Sequence, residues 1–498
     1  MNVNPITRLD YPDPDVIRVE DTYYMVSTTM HFMPGCEILQ SFDLVHWEHA
    51  TYVYETLDHT DAQQLKSGQN IYGQGMWAAS LRYHEGRFYI CFVANDTRKT
   101  YLYTSEKIDG PWKKQLIEGF YHDGSLLFDE DGRNYIVYGN DEIWITELNE
   151  DLTAPKKDGL HRLLVSDHKN PELGYEGSHI QKINGYYYIF LVHSLRDRWM
   201  RTEACFYSDS LEGEFTGGDV LCDDRGYCGQ GVAQGGIVDT PDGKWYAMLF
   251  QDSGAVGRLP ILLPVTWKDH FPFFGQNGHV PEEIEVHSTR PGYIYQPLVG
   301  SDDFCNGLLP RWQFNHDPDP RYYHLDALQG TYTITTREVC TELTQAVNTL
   351  TQRMSYPSCA AEVTVDASAL KEGDVAGLCA LQGCYAAVGI TKHHGKYEVL
   401  MLDKKEDGIL DMTEGTVVES HQMDFRLEAD FCNMKDEARC YYRVNKGDWL
   451  PIGTVHKLYF KLDHFTGCRF GLFCYAAEEI GGSACFRDFK YYDVDEIS

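Results

Sequence analysis

Three carboxylic acids, Asp13, Asp123 and Glu176, stand far apart in the chain yet head the same recurring phrase. Asp123-Gly124-Ser125-Leu126-Leu127-Phe128 runs through an Asp131-Gly132 turn into Tyr135-Ile136-Val137-Tyr138. Glu176-Gly177-Ser178-His179-Ile180 turns at Asn184-Gly185 into Tyr186-Tyr187-Tyr188-Ile189, and Asp13-Pro14-Asp15-Val16-Ile17 turns at Glu20-Asp21 into Tyr23-Tyr24-Met25-Val26. Two further copies carry Trp77 and Gln234 at the corresponding place: Trp77-Ala78-Ala79-Ser80-Leu81 and Gln234-Gly235-Gly236-Ile237-Val238. Carboxyl groups act as general acids and bases, and neighbouring charges set their pKa. Three of them in one pocket are a catalytic arrangement before they are anything else.

The elements that must position them follow from the phrase itself. Alternating apolar residues around an Asn-Gly or Asp-Gly pair mark a β-hairpin. Five such hairpins, repeating every 45–65 residues or so, predict a five-bladed β-propeller. In a propeller, equivalent blade positions converge on the central axis, so Asp13, Trp77, Asp123, Glu176 and Gln234 are expected at one end of the channel. A second phrase, as in Ser41-Phe42-Asp43-Leu44-Val45-His46-Trp47, fits the outer part of a blade. Blade closure is assigned to Val265-Thr266-Trp267 and a strand near Glu283-Ile284-Glu285-Val286.

The propeller is expected over residues 1–295. From Ser301 the phrase is lost, and short alternating strands separated by Gly-, Asp- and Lys-containing turns predict a β-sandwich over residues 301–498. The fold class is therefore all-β, in two domains, as 498 residues require. The segment Trp312-Gln313-Phe314-Asn315-His316 is the expected point at which the sandwich reaches the propeller's pocket.

A formal net charge of −32 repels phosphate backbones and anionic membranes. Neither a nucleic-acid nor a membrane partner is expected, and a neutral ligand fits better. The 34 tyrosines suit both strands and sugar binding. The 15 cysteines lack zinc-site spacing and read as buried, reduced thiols. With no basic and apolar leader at the N-terminus, a cytoplasmic location is the expectation.

Tyr11-Pro12-Asp13-Pro14-Asp15, Asp123-Gly124-Ser125-Leu126, Glu176-Gly177-Ser178-His179-Ile180 and Gly254-Ala255-Val256-Gly257-Arg258 together resemble glycoside hydrolase family 43. Asn348 to Arg353 and Gly373 to Leu378 resemble the concanavalin-like sandwich that follows the propeller in its β-xylosidases and α-L-arabinofuranosidases. The resemblance implies an inverting, exo-acting glycosidase on small oligosaccharides. Asp13 would be the general base, Glu176 the general acid, and Asp123 the residue that orients Glu176 and tunes its pKa. Arg258 would bind the innermost sugar, Trp77 would wall its pocket and Gln234 would line the axis. Inversion needs the acid and base about 6.5–9.5 Å apart, with water between base and sugar. The chain departs from the family at Ala233, where many members carry a histidine that helps hold a central metal or water cluster. No cofactor is required on this reading, no metal ligand is assigned, and a structural calcium is not indicated. Two alternatives stay open: a propeller that binds carbohydrate without chemistry, and a different propeller glycosidase or a phosphorylase. The latter would need a phosphate site, for which the sequence offers no basic cluster or glycine-rich loop.

Overall fold

The computed structural model describes residues 4–493. Its first part is a ring of five four-stranded antiparallel sheets, each a meander in chain order. The first strands of the five blades are Asp15–Val19, Ser80–His84, Ser125–Phe128, Glu176–Ile183 and Val232–Asp239. Each packs beside the first strand of the next blade, and Val232–Asp239 packs against Asp15–Val19 to complete the circle. Every hairpin expected from the repeat is present: Asp15–Val19 pairs with Thr22–Ser27, for example, and Glu176–Ile183 with Tyr186–Ser194. The blades pack through apolar faces, such as Val137, Ile145 and Tyr135 of the third against Ile180, Ile189 and Leu191 of the fourth.

Ring closure differs from the expectation. Val265-Thr266-Trp267 does lie in blade 5, in the strand Arg258–Lys268, but Glu283–Val286 forms no strand. The N-terminal segment does the closing. Asn4 exchanges two hydrogen bonds with Leu262, and the amides of Ile6 and Tyr11 donate to Pro260 and Arg258. The amide side chain of Asn4 mimics a backbone pair, so a segment without strand geometry can still satisfy the open edge of that strand. Ile284 and Val286 instead pack on the apolar cluster between blades 1 and 5.

The second part is a β-sandwich of a nine-stranded and a seven-stranded sheet. Its core includes Trp312, Phe314, Phe425, Leu472 and Phe486, all buried. The nine-stranded sheet takes in a strand of the other domain: Phe32–Met33, from blade 1, pairs with Gln313–Asn315. The contact is strengthened by Arg353, which reaches Glu37 at 2.8 Å, donates to the Asp10 carbonyl and lies over the Tyr11 ring. The two domains thus share hydrogen-bonded backbone, which fixes the sandwich loops over the propeller face. All cysteines are free; ten are buried, while Cys222, Cys228, Cys305 and Cys432 are exposed. Among the described residues no helix is long and apolar enough to cross a membrane.

Candidate active site

The first strands deliver their leading residues to a cavity of about 620 Å³. Asp13, Trp77, Asp123, Glu176, Gln234 and Arg258 all line it. The local backbone explains how they turn inward. Asp13 and Asp123 lie two residues ahead of their strands in left-handed conformation, φ 53° and 48°. Aspartate tolerates that region better than most residues because its short side chain bonds locally. In blade 4 the left-handed position falls on Gly177, φ 66°, where the strand bulges between Glu176 and His179. A Cβ there would come within 2.8 Å of Gln234 Cγ, so glycine is required for clearance as well as for φ. Gln234 itself has φ 63° within a matching bulge. Bulges re-aim side chains, and here they face the axis.

Asp13 is buried and held from two sides. Thr28 Oγ1 donates to its Oδ2 at 2.7 Å, and Arg258 Nη1 donates to Oδ1 at 3.0 Å. Arg258 is therefore half of an ion pair as well as a lining residue, and its guanidinium stands over the Phe465 ring at 4.3 Å. The Gly177 amide donates to Asp123 Oδ2 at 3.0 Å, and Asn140 Nδ2 donates to Glu176 Oε2 at 2.7 Å. His122 stands between these acids, with Nε2 at 3.5 Å from Asp123 and 3.6 Å from Glu176. Burial, with Glu176 and Asp13 adding to it against the pull of His122, pushes the Asp123 carboxyl up to about 6. Burial works against charge on His122, but Asp123 and then Glu176 raise its pKa to about 9. At neutral pH an imidazolium thus faces the acid pair, and the Asp123 carboxyl changes charge near pH 6.

Sequence reasoning missed several lining residues. His122 immediately precedes Asp123 and could have been read from the motif. Asn140 ends the second strand of blade 3 and follows Gly139, φ 143°, whose amide donates to the His122 carbonyl; no pattern marks it. Arg201 and Asp252 form a partly buried pair at 2.8 Å across blades 4 and 5, invisible because the two residues lie 51 positions apart. Trp199, half exposed, adds an aromatic wall. The largest omission is the sandwich's share: Met434, Phe460, Lys461, Leu462 and Phe465 line the cavity. The expected Trp312–His316 segment makes the domain contact instead. Phe314 and Asn315 pair with blade 1, and His316 accepts from the Ile71 amide. One carboxylate clamps the true pocket loop: Asp10 accepts from the amides of Arg258 and Gly467 at 2.8 and 2.7 Å.

His122, Asp123 and Glu176 are also the one trio of described residues whose ligand atoms fall within 4.8 Å of one another, the spacing of a metal site. Beside the first-strand positions that line the cavity, the buried donors are already committed. Both oxygens of the fully buried Asp15 are bonded, one to His179 at 3.1 Å and the other to the Leu81 amide and Arg82. Ala233 is apolar and buried. These residues do not fit a central cation.

The chain matches the profile of glycosyl hydrolases family 43 over residues 3–272. It belongs to that family. The β-xylosidase C-terminal concanavalin A-like domain matches over residues 301–492. This family 43 glycoside hydrolase is 26% identical to a β-xylosidase of Formosa agariphila, with 99% of this chain and 89% of the relative covered. It is also 26% identical to a non-reducing end α-L-arabinofuranosidase of Bacteroides ovatus over 66% of this chain and 63% of the relative. Among solved structures it is similar to a bifunctional GH43-CE protein of Bacteroides eggerthii, at 42% identity and TM-score 0.92. That similarity covers 98% of this chain, which spans 63% of the bifunctional protein.

Proposed function

We propose that this enzyme is an inverting, exo-acting glycosidase that releases terminal α-L-arabinofuranosyl or β-D-xylosyl units from arabinoxylan-type oligosaccharides. The observation that carries the reading is the convergence of Asp13, Asp123 and Glu176 on one cavity that the sandwich loop partly walls off. Asp13, oriented by Arg258 and Thr28, takes a proton from water as it attacks the anomeric carbon. Glu176, held by Asn140, protonates the departing glycosidic oxygen. Asp123 orients the acid's strand, accepting from the amide of Gly177, the residue that follows Glu176. Phe460 and Phe465 narrow one side of the pocket, which favours a chain end over a chain middle. The β-xylosidase and α-L-arabinofuranosidase names of the relatives support the two sugars.

Phosphorolysis finds no support. The cavity's Arg201 and Arg258 are paired with Asp252 and Asp13, and Lys461 with Glu406. Inorganic phosphate is therefore expected to leave the rate unchanged.

The test uses aryl α-L-arabinofuranoside and aryl β-D-xylopyranoside with wild type and Glu176→Ala. Release by wild type, loss in the variant, and partial recovery with a better leaving group would support the assignment. Time-resolved NMR of the released sugar reads inversion directly. No release from either glycoside by folded wild type would remove the exo-pentosidase reading.

A further inference from the structure

A guanidinium occupies the heart of the propeller. Arg82, on the first strand of blade 2, has five N–H donors and five acceptors in reach. Nε donates to the Leu126 carbonyl at 2.9 Å. Nη1 donates to Asp15 Oδ2 at 2.7 Å and to the Leu81 carbonyl at 2.6 Å. Nη2 donates to Ser125 Oγ at 2.7 Å and to the Ile180 carbonyl at 3.1 Å. These acceptors belong to the first strands of blades 1, 2, 3 and 4. Blade 5 completes the ring with Gly236, where a Cβ would stand 3.3 Å from His179 Nδ1 and 3.5 Å from Asp15 Oδ1.

The same strands carry the acids. Asp13 is two residues before Asp15, Asp123 two before Ser125, and Glu176 four before Ile180. We propose that Arg82 is a positioning residue that sets the spacing of Asp13, Asp123 and Glu176 from beneath, and that this fully bonded guanidinium stands in place of a central cation. A planar fork suits that role because its donors point in fixed directions, so it holds distances between strands in a way a single point charge does not. Burial works against the Asp15 charge, yet Arg82 and His179 hold its carboxyl below the usual range.

A second cavity, of about 420 Å³, opens beside Arg82 and is lined by Val16, Leu126 and Ile180. It provides a way in for a small guanidinium ion, and with it a direct test. Wild type, Arg82→Lys, Arg82→Met and Arg82→Ala are assayed for kcat, KM and Tm, and wild type is also measured after EDTA dialysis and with added CaCl2. The expected result is a kcat about tenfold to a hundredfold lower in the Lys and Met variants, as ångström-scale misplacement of catalytic groups costs. KM should move less than kcat, methylguanidinium should restore part of the Ala variant's kcat, and EDTA and calcium should leave wild type unmoved. Arg82→Lys keeps the charge and serves if the Met variant fails to fold. The positioning role rests on the acid–base assignment proposed above, which Glu176→Ala tests separately. Loss of activity in Glu176→Ala with wild-type kcat in folded Arg82→Lys would overturn the role of Arg82 alone. A Tm that falls with EDTA and returns with CaCl2 would overturn the replacement of the cation.

Discussion

Asp13 and Arg258 form a buried ion pair, Oδ1 to Nη1 at 3.0 Å, in the wall of the central cavity. Blade 1 supplies one partner and blade 5 the other, so the pair also spans the seam where the propeller closes. Removing one partner of a buried pair leaves the other charge uncompensated, at a cost of about 3–5 kcal/mol. Arg258→Met is therefore expected to lower Tm and to cut kcat/KM by about a hundredfold, on the scale of a lost active-site donor. The Asp13→Asn, Arg258→Met double variant should recover part of the stability but none of the activity. A double-mutant cycle by thermal melting reads the coupling.

Asp123 makes a linked prediction of opposite sign. Its folded pKa of about 6 lies above the ordinary value of 3.8. Between those values the folded state binds more protons than the unfolded one, so stability falls as pH rises, by up to about 1.4 kcal/mol per unit. Asp123→Asn removes that loss. The variant should melt higher than wild type above pH 6, show no such gain below pH 4, and be nearly inactive on aryl glycosides. A Tm difference independent of pH would contradict it.

Three histidines meet at the domain contact: His31 from blade 1, with His316 and His464 from the sandwich at ring distances of 4.8 and 5.8 Å. Tyr72 stacks on His464 at 3.9 Å. Burial, assisted by their mutual repulsion and by Arg469 near His31, holds His31 and His316 well below their ordinary values. Burial likewise brings His464 down to about 4, against the pull of Asp463. A depressed histidine is neutral when folded but protonated when unfolded below about pH 6.5, so stability is present above that pH and is lost as pH falls from about 6.5 toward 4. His464→Phe should flatten the fall in Tm over that window. An unchanged slope would show that other groups control acid sensitivity.

Phe465 lies against Arg258 and Trp77, the latter at 5.5 Å between ring centroids, although it comes from the other domain. Phe465→Ala should raise KM for small aryl glycosides about tenfold through lost aromatic contact. It should also widen the range of oligosaccharide lengths accepted, with the propeller's own melting little changed. Kinetics on a ladder of oligosaccharides checks both.

Much of the site was legible because a propeller is a repeat. Once Asp123 and Glu176 are seen to head equivalent hairpins, symmetry alone brings them together, and Asp13 with them. Apart from His122, which adjoins the Asp123 phrase, the lining residues that escaped notice lie outside the repeat. Asn140 and the Arg201–Asp252 pair sit at strand ends with no phrase around them. The closing segment at residues 4–11 was missed because its bonds to blade 5 run through an asparagine side chain and isolated amides rather than an alternating strand.

The all-β class, the five hairpins, the change of character after residue 300 and the positions heading each inner strand were all readable before any fold was known. These are local properties: turn chemistry and period-two alternation act over a few residues, and repetition multiplies the signal. Which loop of the sandwich walls the pocket, which cation faces each acid, and what fills the axis emerge only from the folded chain. Those depend on contacts between residues hundreds of positions apart, such as Asp10 with Gly467 and Arg258 with Asp13. Nothing local to either partner encodes such a meeting; it exists only after the ring has closed and the sandwich has docked upon it.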